Sequence, residues 1–218
     1  MNEHLRKMLK DSAAALNVTL DERALDIFGR YYRELLIWNE KMNLTSVRTP
    51  EEMLIKHFID SLTPLPYIVR PHGRLLDIGS GGGFPGIPLK IAMPALQVFL
   101  LETSRKKSSF LRHLIRHLPL AQTAVIHARA ESAMTDDAYR HTFDTVISRA
   151  AFKLPEFIKI GRFFLSPGGL LIAMKGPSGE GEKEIINDLD VRCIACHDIL
   201  LPFDGGRRII MLFQVDRQ

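Results

Sequence analysis

At 218 residues the chain can bury one full core with an appendage, and at 46% hydrophobic and 25% charged it has an ordinary globular composition. Its longest apolar runs are a handful of residues, too short for a membrane-spanning helix, and residues 1–18 lack the apolar stretch of a secretory signal, so a cytoplasmic protein is expected. The net charge of +4 biases it mildly toward anionic partners without proving one.

Residues 1–70 read as helical. Thr19 and Glu22 have the spacing of a capping box and open a long helix. Along it Phe28, Tyr31, Leu35, Trp38 and Met42 recur at intervals of three and four, an apolar stripe on which the one tryptophan is expected to pack rather than to stack on a base. Thr49-Pro50-Glu51-Glu52 starts another helix, with proline at the first helical position and Glu52 closing the box. Near Pro71 the pattern changes. "RLLDIG", "LQVFLLE", "TAVIHA", "FDTVISR" and "GLLIAMKG" have the continuous apolar character of buried parallel strands. Helices are predicted between them, one after Pro85, one over 105–117 and one over 153–165. Strands alternating with helices predict a doubly wound, Rossmann-like α/β sheet. The end differs: "VRCIACHDILL" and "RRIIMLFQV", joined through Asp204-Gly205-Gly206, predict an antiparallel pair at the sheet edge. The chain thus divides into a helical extension, 1–70, packed on a core, 71–218.

Cys193-Ile194-Ala195-Cys196-His197 spells the haem-attachment and thioredoxin-like patterns, but in a setting that fits neither. Redox pairs of this kind sit at helix starts, where the thiol pKa falls. In an alternating strand Cys193 and Cys196 are expected on opposite faces, in packing roles, and no metal site is expected.

In a doubly wound sheet, ligands bind beyond the carboxyl ends of the strands at the switch point. The residues to watch are therefore Asp77 to Gly83, Glu102, Ala128 to Glu131, Ser148 with Arg149, and Lys175 with Gly176. "LLDIGSGGGFPGIPL" (75–89) contains a literal G-x-G-x-x-G, by itself a weak dinucleotide signal. A dinucleotide would place its pyrophosphate on the following helix start, but Asp77 would repel it, and Pro85 and Pro88 remove N–H donors that a phosphate needs. Asp77 suits a cationic ligand instead, and S-adenosylmethionine carries a sulfonium and an ammonium with no phosphate. Glu102, nineteen residues beyond Gly83, is placed to accept both ribose hydroxyls of a nucleoside.

D-x-G-x-G-x-G at Asp77 to Gly83, with Glu102, resembles the class I S-adenosylmethionine-dependent methyltransferases. "DIGSGGGFPGIPL", "HFIDSL", "NLTSV", "RAES" and "SRAAF" (148–152) resist so broad a reading: together they resemble the glucose-inhibited division protein B (RsmG) family, over nearly the whole chain. The resemblance implies methylation of guanine N7 in small-subunit (16S) ribosomal RNA, free or in an assembling particle. It places the cofactor's methionine end at Gly79 and Phe84, its adenine at Ala130 and Glu131, and the transferred methyl near Arg149; Gly81 and Gly83 of the same loop are also expected to bind the cofactor. Against this, Glu131 also reads as a surface acid and Arg149 as half of a structural ion pair.

The chemistry fits what is missing from the chain. Cytosine C5 methylation needs a cysteine nucleophile near the cofactor, and both cysteines lie in the last strand pair. Exocyclic-amine methylases carry D/N-P-P-Y/F after the fourth strand, where this chain has Ser148-Arg149-Ala150-Ala151. Guanine N7 already presents its lone pair, so no general base is expected. Arg149 and Lys175 are candidates to orient the base through O6 or a phosphate, and a cation beside the sulfonium requires Arg149 to be paired with a carboxylate. Arg105, Arg112 and Arg116 align on one helix face, either as a solvated surface or as a phosphate-contacting stripe. The alternatives are an S-adenosylmethionine-dependent enzyme for a protein or small-molecule acceptor, and a non-enzymatic nucleoside-binding or NAD-dependent protein, which Asp77 disfavours.

Overall fold

The computed structural model describes residues 1–47, 49–177 and 191–215. Helix α1 (Glu3–Ala15) lies against α2 (Glu22–Met42) through Arg6, which pairs with Glu22 and Asp26 at 2.7 Å each. The cap of α2 is Asp21, whose carboxylate accepts the Ala24 N–H at 2.7 Å; the Thr19–Glu22 box does not form, because Glu22 turns outward to Arg6 and Lys10. On the apolar stripe Phe28, Tyr31 and Leu35 are buried, while Trp38 and Met42 are half-buried. Trp38 packs its ring 5.4 Å from Phe110. Thr49 caps α3 (Pro50–Met53) as expected. That helix widens into a π-helical segment (Leu54–Ile59) before α4 (Asp60–Leu62) and a 3-10 turn (Leu65–Tyr67).

The rest alternates: β1 (Arg74–Ile78), α5 (Gly86–Ala92), β2 (Gln97–Glu102), α6 (Arg105–His117), β3 (Thr123–His127), α7 (Ala130–Ala133), a 3-10 turn (Asp137–Tyr139), β4 (Phe143–Arg149), α8 (Leu154–Phe164) and β5 (Leu165–Lys175). β6 (Val191–Leu201) and β7 (Gly206–Val215) close the sheet, in the order β3-β2-β1-β4-β5-β7-β6. The first five strands pair in parallel; β7 runs antiparallel to β5 and to β6. One apolar cluster joins α1, α2 and the π-helical segment to α5, α6 and one sheet face; a second holds α7 and α8 on the other face. The extension therefore shares its core with the sheet.

Two local expectations are corrected. Cys193 pairs with Phe213 and Cys196 with Met211, across a register shift between Cys193 and Ala195. A bulge at that point adds one residue, so both cysteines lie on one face; both are exposed and they form no disulfide. The β6–β7 turn is also centred earlier than Asp204-Gly205-Gly206. Phe203 (φ 52°) and Asp204 (φ 54°) are its central residues, closed by Gly205 N–H to Pro202 O at 3.1 Å, the pattern of a type I′ turn.

Candidate functional site

The chain runs outward from β1 through β2 to β3 and then crosses back to β4 on the other side of β1, so the switch point lies beyond the carboxyl ends of β1 and β4. A cleft of about 340 Å³ opens there, walled by Gly79, Gly81, Glu102, Lys107, Ala130 and Phe152 among others. Four of these were expected; Lys107 and Phe152 were not. Gly79 has φ 78°, and a Cβ there would stand 2.7 Å from the Ala151 Cβ, so neither its backbone nor its neighbour admits a side chain. Ala150, at φ 52°, turns the chain after β4 so that residues 151–152 close this wall.

Glu102 holds the loop from below. Its Oε2 accepts the Gly81 N–H at 2.8 Å and its Oε1 the Ser104 N–H at 2.7 Å, while the carboxylate still borders the cleft. Each carboxylate oxygen has a second lone pair to offer. Asp77 sits deeper. It is 0% exposed, accepts the Gly86 N–H through Oδ2 at 2.9 Å, and keeps Oδ1 buried with no hydrogen-bond partner. It does not line the cleft: it acts through the loop it braces and through its charge. Burial pushes its carboxyl up to about 7; the Gly86 N–H, the charge of Arg149 and the neighbouring Ser80 hydroxyl oppose that rise, and Glu102 adds to it. By taking the Gly86 N–H, Asp77 also removes the amide that a phosphate would seek at the start of α5.

Gly83 and Phe84 lie behind the cleft rather than on its walls. A Cβ on Gly83 would stand 2.9 Å from the Tyr31 hydroxyl, which donates to Gly82 O at 2.6 Å; α2 thus reaches the glycine loop directly. Phe84 stacks with Tyr31 (5.5 Å) and with His57 (4.7 Å), and the Arg149 guanidinium lies 5.1 Å from the centre of its ring. Glu131 is exposed beside Ala130. Lys175 donates to Phe152 O at 2.6 Å, supporting the cleft wall from behind.

Arg149 is the centre of a network that the strand pattern did not reveal. Its guanidinium donates to Lys56 O at 2.9 Å, to Asp60 Oδ2 at 3.1 Å and to His57 Nδ1 at 3.3 Å. The carboxylate partner that Arg149 requires is therefore Asp60, 3% exposed. Arg208 from β7 brings Nε to 3.1 Å from Asp60 Oδ1, close enough to pair by charge but out of line for a hydrogen bond. Because Arg149 can only donate, His57 Nδ1 accepts, and Nε2 carries the proton toward Thr45 Oγ1 at 2.6 Å. Burial, with the charge of Arg149, pushes His57 down to about 3 and keeps it neutral. "NLTSV" and "HFIDSL" stood in the sequence only as marks of resemblance, and the π-helical segment is what aims His57, Asp60 and the Lys56 carbonyl at one point. Such segments concentrate at functional sites.

Arg105, Arg112 and Arg116 are exposed along α6, and none has an ion-pair partner among the described residues. The stripe begins at the cleft rim, where Lys107 is a wall, and Arg116 stands eleven residues, roughly 16 Å, further along the helix. No helix is long and apolar enough to cross a membrane, and no metal-ligating cluster occurs among the described residues.

A carboxyl-end cleft at the switch point of a seven-stranded sheet with a reversed last pair defines the class I methyltransferase fold. A SAM dependent methyltransferase from Aquifex aeolicus matches it with a TM-score of 0.60 at 14% identity, over 79% of this chain and 97% of that one. TYW2 of M. jannaschii in complex with AdoMet matches with a TM-score of 0.56 at 15% identity, over 77% of each chain. The family described as rRNA small subunit methyltransferase G matches residues 3–200. The ribosomal RNA small subunit methyltransferase G of Syntrophus aciditrophicus (strain SB) is 44% identical over 213 residues, 95% of this chain and 88% of that protein. The chain belongs to the rRNA small subunit methyltransferase G family.

Proposed function

We propose that the protein transfers a methyl group from S-adenosylmethionine to N7 of a guanine in small-subunit (16S) ribosomal RNA. The family supports the RNA, and the cleft supports the cofactor: Glu102 borders it as a carboxylate acceptor, and Asp77 holds a buried, unpartnered oxygen beneath it. When bound, S-adenosylmethionine supplies a methyl group on a sulfonium that leaves as a neutral thioether. Glu102 holds the ribose, Ala130 and Glu131 meet the adenine, and Gly79 and Gly81 let the backbone approach.

The observation that carries the acceptor is the state of the groups around Arg149. Guanine N7 offers an in-plane lone pair, so no residue must remove a proton before transfer. The one histidine at this point is neutral, with both ring nitrogens committed to Arg149 and Thr45. Both cysteines lie far off on β6. What remains is a positioning device. A guanidinium has five N–H donors. Three bonds fix Arg149 to Asp60, Lys56 and His57; the other two are what guanine O6 or a phosphate takes. Asp60 pairs with both Arg149 and Arg208, so it offsets one of the two positive charges that stand on the acceptor side. Holding the base in line and excluding water supplies the rate. Arg105, Arg112 and Arg116 contribute phosphate contacts along α6, from the cofactor cleft outward.

The test is incubation with labelled S-adenosylmethionine and 16S RNA, free and in small-subunit particles, followed by nucleoside mass spectrometry. Label in N7-methylguanosine is expected. Label in another nucleoside, or in ribosomal protein, overturns the reading.

A further inference from the structure

The β6–β7 turn breaks the sequence rule for its own geometry. A type I′ turn needs positive φ at both central residues, and glycine, asparagine or aspartate normally supply it. Here Phe203 occupies the first of these positions. The glycines stand just after it, at 205 and 206, where they do not relieve it. The aromatic ring gains no core in return, since Phe203 is 68% exposed. Strain held at an exposed side chain with no packing to explain it points to a role outside the fold.

Its position narrows that role. Lys175, the last residue of β5, pairs with Ile209, so β7 begins three residues further out, at Gly206. The turn therefore reaches roughly 10 Å past the carboxyl end of β5, on the side of the sheet where Arg149 lies. It docks there on the π-helical segment: a Cβ on Gly205 would collide with Ile55 Cγ2. Arg208 ties the same hairpin to Asp60, and through it to Arg149. Asp204 beside Phe203 is exposed and acidic, which disfavours a phosphate at the tip and leaves the ring as its recognition surface.

We infer that Phe203 is a stacking platform for a nucleobase of the RNA, presented by the strained turn at the rim of the acceptor site. This rests on the proposed RNA substrate and adds a residue that reads the strand beside the methylated guanine. Aromatic platforms of this kind bind single-stranded bases through the ring face, independent of base identity.

Three variants test it in the full-length protein: Phe203→Asn, Phe203→Leu and Phe203→Trp. Asparagine suits positive φ, so its melting temperature should rise above wild type while its KM for 16S RNA rises about tenfold. Leucine keeps apolar bulk without a π-face and should raise KM similarly. Tryptophan should hold or lower it. S-adenosylmethionine affinity should be unchanged in all three. An unchanged RNA KM in the asparagine variant overturns the proposal, and so does wild-type KM with leucine, which would make the side chain a plain apolar contact. A fall in melting temperature with RNA KM intact makes it a packing residue and overturns it too. Methylation at an atom other than guanine N7, with the Phe203 effect present, breaks the earlier reading and leaves this one standing. N7 methylation indifferent to Phe203 does the reverse.

Discussion

The cofactor side and the acceptor side of the site hold their residues together over very different spans of chain. The glycine loop and Glu102 meet across 21 residues, within one strand-helix-strand unit. Arg149 meets Asp60 across 89 residues and His57 across 92, and Arg208 enters from the last strand. The first side is a local unit that folds with its own βαβ crossover. The second exists only once the helical extension, the middle of the sheet and the final hairpin have come together. On the proposed function the extension is thus part of the site: it holds Arg149 through His57 and Asp60, and it braces the glycine loop through Tyr31.

The difference predicts that each side can be damaged alone. Asp60→Asn should have the largest effect. It keeps the shape and removes the one carboxylate that two guanidinium groups share. Breaking a buried pair from one side destabilises by about 3 kcal/mol, and a loosened Arg149 should lower kcat about 100-fold. S-adenosylmethionine affinity, by titration calorimetry, should stay within about threefold of wild type. A parallel collapse of cofactor binding would show that the two sides are one unit.

Glu102→Gln is the converse experiment. The amide keeps one acceptor oxygen and loses the charge, so one of the two loop bonds, to Gly81 or to Ser104, must fail. Hydrogen bonds to a charged group carry about 1.5–3 kcal/mol, which corresponds to roughly a 10- to 100-fold weaker cofactor Kd. The RNA KM should not move. If it rises as steeply as the cofactor Kd, the loop also shapes the acceptor side.

The same contrast explains what was legible in the sequence. The doubly wound sheet, the reversed last pair and α6 were all readable, because apolar runs and helical spacing are local signals. Gly79, Gly81, Glu102 and Ala130 were readable as cleft residues because strand ends are where such sheets bind ligands. The partners of Arg149 were not. A carboxylate was required by charge balance, yet nothing local distinguishes Asp60 from other acids, and the π-helical segment that aims it has no sequence spacing of its own. The cysteine pair failed for a related reason: alternation assumes an unbroken register, and one bulge overturned it. Phe203 was hidden because Asp204-Gly205-Gly206 offered a more conventional turn next door.

Asp77 tests the seam between the sides, since both Arg149 and Glu102 act on its charge. Its folded carboxyl holds a proton up to about pH 7, whereas the unfolded group releases it near 3.9. The fold therefore loses stability as pH rises between those values, a loss complete above about 7. Cofactor binding should run the other way, because the sulfonium and ammonium favour the ionised form. Between pH 6 and 8 the ionised fraction rises about tenfold, and S-adenosylmethionine affinity should rise by up to that factor. Asp77→Asn should flatten both slopes. Binding that is independent of pH in the wild type would mean that Asp77 serves the loop alone.

The smallest effect is expected on α6, and it asks whether a third surface belongs to either side. Arg105 stands at the cleft rim while Arg112 and Arg116 lie progressively further from it, all exposed and aligned. As phosphate contacts, each would release about one counterion's worth of salt dependence. Replacing Arg112 or Arg116 singly with Gln should therefore flatten the plot of log KM for RNA against log salt by about one unit, close to a threefold difference between 50 and 200 mM. The methylated base and the cofactor affinity should not change, because phosphate contacts position the strand without reading it. Arg105→Gln separates the two uses of the helix start. Near Glu102 and Lys107, Arg105 can belong to the cofactor side, in which case its loss shifts the S-adenosylmethionine Kd and leaves the salt slope alone. A common change in slope for all three makes α6 an RNA-contacting stripe that begins at the cofactor cleft and extends away from Arg149, so that the RNA must span both sides of the site. Slopes parallel to wild type in every variant make it a solvated helix face and leave the RNA path to Arg149, Arg208 and the Phe203 turn.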